Sequence, residues 1–161
     1  MIILGIDPGY DRLGIALIDK KLGVKEVLLY SDCFKTSSKD SIYTRMHVIG
    51  QEIRRIIEEF KPDHLAIENL FIANNQKTAM RVSEARGIII YEATSHGIPV
   101  HEYTPMEIKS SVTGDGTSDK ARIMKMVELL ITMPKKKAID DEYDAVAVAL
   151  THSARTKVPS K

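Results

Sequence analysis

The sequence has one cysteine, Cys33, in 161 residues. With no second thiol, an internal disulfide is excluded and the expected compartment is a reducing one, the cytosol. Cys33 lies in a run that reads as strand and is expected to be a small buried hydrophobe. Long apolar runs are missing too. None approaches the ~20 residues that cross a bilayer, and no basic segment leads into an apolar one at the N-terminus, so no membrane association is expected. Nor is there an excess of charge of one sign, with 23 Lys and Arg against 22 Asp and Glu. The global basic field that advertises nucleic-acid binding is therefore absent, and a polyanion would have to be held by a local patch. Acidic residues gathered into one site would leave the rest of the surface basic, so near-neutrality does not exclude DNA. No internal repeat or low-complexity segment is present. What is there, 43% hydrophobic residues over this length, makes one well-packed core. Residues 1–156 are expected to form a single domain, followed by a polar tail, 157–161.

The first ten residues organise the rest. Met1-Ile2-Ile3-Leu4-Gly5-Ile6 reads as a strand buried on both faces, and it ends on Asp7. Pro8-Gly9 turns the chain where the carboxylate emerges, and Leu13 to Asp19 forms the second arm of a hairpin. Val24 to Phe34 reads as a third antiparallel strand. Ile42, Met46, Ile49, Ile53, Ile56, Ile57 and Phe60 then fall at helical spacing until Lys61-Pro62-Asp63 stops the helix. His64 to Glu68 repeats the opening design, a short apolar strand whose last residue is a carboxylate. A long helix runs from Asn75 to His96, with Gly87 inside it at a cost of about 1 kcal/mol against Ala, which close packing of another backbone, within the chain or across a dimer, would explain. Val100 to Tyr103 is a last strand, Thr104-Pro105 opens a helix, and Ser118 is expected to cap the next. After Met133-Pro134 and three lysines, a final helix spans about Asp140 to Ser153.

Three antiparallel strands followed by helix, strand, helix and strand make an α/β fold with a mixed five-stranded sheet and helices on both faces. A right-handed crossover through the first long helix sets the Leu65 strand parallel to the opening one. Neighbouring strands lie roughly 4.8 Å apart, so Asp7 and Glu68 should emerge side by side at one sheet edge. An isolated Asp-Pro-Gly is a plain turn, but two strand-end carboxylates so close repel unless a cation lies between them. Asp141 and Asp144, three residues apart, share one face of the last helix, while Asp140 points about 100° away from Asp141 and is expected to be the N-cap. Alone, these would be acidic decoration of a helix N-terminus. With Asp7 and Glu68 they suggest an all-oxygen site for one or two Mg²⁺ or Mn²⁺ ions.

Ile3-Leu4-Gly5-Ile6-Asp7-Pro8-Gly9, Ala66-Ile67-Glu68-Asn69-Leu70-Phe71, Ala85-Arg86-Gly87 and Asp141-Glu142-Tyr143-Asp144-Ala145 resemble, in order and at similar spacing, the motifs of the RuvC-type Holliday junction resolvases. The resemblance covers essentially the whole chain. It implies an RNase H-like fold, a homodimer, Mg²⁺-dependent incision of four-way DNA junctions, and Asp7, Glu68, Asp141 and Asp144 as metal ligands. Lys109 and Lys120 resemble family positions near the scissile phosphate, where an ammonium would neutralise charge developing in the transition state. Phe71 resembles a base-stacking aromatic at the junction centre. Lys77, Arg81 and Lys135 to Lys137 are candidates for tracking phosphates.

Three other readings fit parts of the pattern. A nuclease of the same fold could act on RNA or hybrid substrates, and a junction-binding protein could lack cleavage, although four intact carboxylates argue for chemistry. Asp7-Pro8-Gly9 with Gly14 faintly echoes the phosphate hairpin of actin-like ATPases, which need two such domains and more residues than this chain has. A branch-migration motor is a further expected partner. The five histidines, His47, His64, His96, His101 and His152, show no metal-ligand spacing, and none reads as a ligand.

Overall fold

The computed structural model describes residues 1–69, 76–133 and 138–157. Its strands are β1 (Ile2–Asp7), β2 (Arg12–Asp19), β3 (Val27–Lys35), β4 (His64–Glu68) and β5 (Val100–Tyr103). Helix α1 (Ile42–Phe60) follows β3, α2 (Gln76–Ser95) follows β4, and α3 (Pro105–Thr113), α4 (Lys120–Leu130) and α5 (Asp140–Arg155) close the chain. The sheet order is β3-β2-β1-β4-β5. Strand β1 runs antiparallel to β2 and parallel to β4, and β4 is parallel to β5. These are the strand directions expected of an RNase H-like sheet.

Alternation along the strands divides the core into two layers. Leu4, Ile6, Leu13, Ile15, Leu17, Leu65 and Ile67 face α1 and α2. Ile3, Ala16, Ile18 and Ala66 face α3, α4 and α5. Period two therefore aims Asp7, two residues beyond Gly5, and Glu68, two beyond Ala66, toward the α5 layer. Helix α5 is buried almost all round, from Tyr143 to Ser153, and its alanines let it lie close to the sheet. Gly5 is where it comes closest: a Cβ there would collide with the Ala145 carbonyl and lie 2.7 Å from the Ala149 Cβ.

Local signals explain most boundaries. Ser41 caps α1 by accepting from the Thr44 N–H at 3.1 Å, and Lys61 ends that helix in the left-handed region before Pro62. Thr104 and Glu107 form a capping box around Pro105 at the start of α3. Four expectations shift. The cap of α4 is Asp119, whose carboxylate accepts from the Arg122 N–H at 2.8 Å, while Ser118 is buried and bonds Thr113. Asp140 is the first residue of α5 rather than its cap; Ile139 holds that position, and its N–H donates to Glu142 at 3.0 Å. β3 starts at Val27, because Val24 lies in the exposed turn before it. Gly87 is exposed, and no described atom lies within 4 Å of where a Cβ would stand, so among the described residues no backbone packs there. Among the described residues no helix is long and apolar enough to cross a membrane.

Candidate active site

Register decides which side chains meet. Ile6 pairs with Ile67 across the parallel β1–β4 ladder, so Asp7 and Glu68 end neighbouring strands, and each acts on the other's protonation. Both are pushed far above the usual carboxylate range. Burial, then the charges of Glu68, Asp144 and Asp141, raise Asp7 to about 8 against the pull of Lys120. Burial, then Asp144, raise Glu68 to about 7, opposed by its bond to Asp7 and by Lys109 and Lys120.

Helix α5 brings the other two carboxylates over the same edge. Its first turn lies against β2 at Gly14, where a Cβ would collide with the Asp141 carbonyl and stand 3.1 Å from the Asp7 Cβ. Asp144 accepts from the Lys120 ammonium at 2.9 Å, and Asp140 lies 3.6 Å from the same nitrogen. Burial alone would lower the Lys120 pKa, but the bond to Asp144 and the surrounding carboxylates outweigh it and raise it. Asp141 is bonded by Arg12, and the Cys33 thiol lies 3.6 Å from the same carboxylate oxygen. The four carboxylates thus share one end of the sheet without closing on one point: Asp7 and Glu68 face each other, and the α5 pair is turned to cations.

A cleft of about 260 Å³ opens beside them, lined by Glu68, Lys109, Lys120 and Asp144 with Ile108 and Ile123. That volume falls short of the ~300 Å³ at the lower end for small-ligand pockets, so a phosphate on the surface of a larger molecule fits better than an engulfed nucleotide. Four carboxylates with two ammonium groups supply hard oxygen donors and no thiolate or imidazole at the centre, a donor set that fits Mg²⁺ or Mn²⁺.

The remaining expected residues fare differently. Lys109 joins the cleft with Lys120. Lys77 is exposed on the first turn of α2, and Arg81 is paired with Glu84 at 2.8 Å in the groove between α1 and α2, so neither lines the cleft. Phe71 lies outside the described residues, as do three of the four positions in 134–137, the lysines Lys135 to Lys137.

Sequence reasoning missed three features. Arg12 holds Asp141, and its only signal was a cation two residues before Gly14, the partner of Asp7 in the ladder. Arg86, inside the Ala85-Arg86-Gly87 block, donates to the Glu68 carbonyl at 3.3 Å and lies 2.6 Å from Glu102, tying α2 to the end of β4. His64, His101 and His152, far apart in sequence, come together under α5 at the other end of β4.

The family model of crossover junction endodeoxyribonuclease RuvC matches residues 3–152. The protein of that name from Petrotoga mobilis is 40% identical over 152 residues, covering 94% of this chain and 93% of its own. The one from Thermosipho melanesiensis is 41% identical over 157 residues, 98% of this chain and 99% of its own. Among solved structures, T. thermophilus RuvC in complex with a Holliday junction substrate matches with a TM-score of 0.88 at 30% identity, covering 95% of this chain and 93% of that one. The yeast mitochondrial Holliday junction resolvase Ydc2 matches at 0.66 with 13% identity, a likeness of fold alone.

Proposed function

The chain belongs to the RuvC family of crossover junction endodeoxyribonucleases, and from that premise we propose that it resolves four-way DNA junctions by paired, metal-dependent phosphodiester hydrolysis. The observation that carries this reading is the pair of half-buried carboxylates, Asp7 and Glu68, ending adjacent parallel strands with Asp144 and Lys120 of the α5 layer beside them.

Asp7, Glu68, Asp141 and Asp144 are the residues that would hold the cation. Mg²⁺, or Mn²⁺ in its place, would supply Lewis-acid activation of water and charge stabilisation there, and the expected nicks carry 5′-phosphate and 3′-hydroxyl ends. Lys120 exchanges Asp144 for a phosphate oxygen, meeting charge that grows as the reaction proceeds, and Lys109 approaches the same phosphate from α3. Lys77 and Arg81 contact DNA outside the cleft, and Phe71 stacks on a base at the junction centre. Two matched cuts need two sites related by a twofold axis. The groove where Tyr43 and Tyr91 are exposed beside Gly87 and Ile88 is the proposed dimer face, and a second copy there gives Gly87 the close neighbour it lacks among the described residues. The protein works in the cytoplasm, and a branch-migration motor is its proposed partner.

A labelled synthetic four-way junction incubated with Mg²⁺, beside linear duplex and RNA–DNA hybrid, tests the reading. Symmetric paired nicks on the junction are expected. Preferential cutting of the hybrid, or binding without cutting, would overturn it in favour of an RNA-directed nuclease or a passive binder.

A further inference from the structure

Residues His64 and Ala66 of β4 share the face that looks toward α5, and the β4–β5 register sets His101 beside Ala66. His152, on the last turns of α5, closes the triangle from above. Ring centroids are 5.1 Å apart for His64 and His101, 4.9 Å for His64 and His152, and 4.3 Å for His101 and His152. One ring nitrogen from each lies within 4.8 Å of the other two. His64 Nδ1 and His152 Nε2 are 2.7 Å apart, and the second nitrogen of His152, Nδ1, is 2.7 Å from the Tyr103 hydroxyl. Thr156 Oγ1 is 3.2 Å from His152 Nε2. His101 Nε2 is buried and has no hydrogen-bond partner among the described residues.

A hydrogen-bonded chain from His64 through His152 to Tyr103 accounts for two of the three rings and leaves the third with an unsatisfied buried nitrogen, which carries a full desolvation penalty. We propose that His64, His101 and His152 form a binding site for a borderline-soft divalent transition metal of the zinc class, separate from the carboxylate centre. Three imidazoles suit Zn²⁺, Co²⁺ or Ni²⁺ and not Mg²⁺. Zinc–nitrogen bonds of about 2.0–2.1 Å place tetrahedral ligand atoms about 3.3 Å apart, so the close pair opens by roughly half an ångström and the outer pair draws in. Water supplies a fourth donor at three-histidine sites. Tyr103, bonded to the far nitrogen of His152, fixes that ring as outer-sphere partners of metal-bound histidines do. The rings are also kept neutral, the form that ligates. Burial, then His101, His64 and Lys20, lowers His152 to about 4, and burial, then His64, lowers His101. The four residue steps along β4 from His64 to Glu68, at roughly 3.3 Å each, set the site about 13 Å from the carboxylates. A metal there fastens the far end of α5 to β4 and β5, while the near end carries Asp141 and Asp144.

The test is to titrate the metal-free full-length protein with Zn²⁺ against a chromophoric chelator, with Mg²⁺ in excess to fill the oxygen sites, and to repeat the titration with Co²⁺ by visible absorption. One equivalent per chain, the intense bands of tetrahedral Co²⁺ and a raised thermal midpoint are expected. His101→Ala should weaken uptake more than 100-fold, Tyr103→Phe about tenfold, and Asp144→Asn not at all. Uptake that survives His101→Ala but is lost in Asp144→Asn would overturn the site by assigning the metal to the carboxylates. Should a variant fail to fold, the wild-type Co²⁺ spectrum decides: weak octahedral bands, or none at one equivalent, reject it.

Discussion

Asp7 sits half-buried at a strand end with three other carboxylates acting on it. Asp7→Asn keeps its shape and removes one charge, so it should abolish junction cutting while junction affinity holds or rises, since a negative group facing phosphate is gone. A gel-shift titration run beside a cleavage assay on the same junction checks this, and cutting near the wild-type rate would reject the metal-site reading. Lys120 belongs to the same balance from the other sign. Its ammonium is bonded to Asp144 at 2.9 Å in the free protein, so its contact with substrate would strengthen chiefly in the transition state. Lys120→Ala should lower the cleavage rate more than tenfold with little change in junction affinity. An equal loss of both, in single-turnover kinetics and gel shift, would make Lys120 a docking residue.

At the scale of elements, the site depends on how closely α5 lies on the hairpin. Gly5→Ala inserts a methyl group against the Ala145 carbonyl and the Ala149 Cβ, and overpacking of this kind costs about 1–3 kcal/mol. Urea unfolding should show that loss, and because the displaced helix carries Asp141 and Asp144, cleavage should fall more than stability alone accounts for. Helix α3 offers a pH-dependent check. The Thr104 backbone and Arg155, then the Thr104 hydroxyl, pull the Glu107 carboxyl from 4.5 down to about 2. Its folded pKa is depressed, so the unfolded chain binds the proton first. The contribution is fully present above about 4.5 and is lost as pH falls toward 2. Urea titrations of wild type and Glu107→Gln should therefore differ near neutrality and converge in acid. Caps also mark what the sequence does and does not disclose. Thr104-Pro105 was legible because proline at the first helical position leaves few readings. Ser118-Asp119 was not, since either side chain can cap and only the burial of Ser118 against Thr113 decides between them.

For the whole molecule, the proposed pair of sites predicts a dimer in solution. Light scattering showing a monomer at micromolar concentration, on junction DNA as well as free, would remove the α1–α2 face as an interface. Junction affinity should also weaken with salt, as binding through lysines and arginines on phosphates requires. Much of this was open to reading because carboxylates at strand ends are announced locally: an apolar run, an acid, then a turn. Asp7 and Glu68 needed only one crossover rule to become neighbours. Arg12, Arg86 and the three histidines needed strand register and the depth of α5, which no local pattern carries. His64 and His101 become neighbours only through the β4–β5 pairing, and His152 joins them from another layer.

The same long-range assembly has a consequence for the protein's synthesis. Asp7 and Glu68 reach each other only after the first crossover forms, and Asp141 and Asp144 sit on the last helix of the chain. Contacts between such distant segments close late, after the local hairpins and helices. On the proposed assignment of the centre, a nascent chain still short of α5 has two of the four carboxylates, so nuclease activity is expected only once synthesis has passed α5, which timed translation of truncated chains with a junction-cutting assay would check.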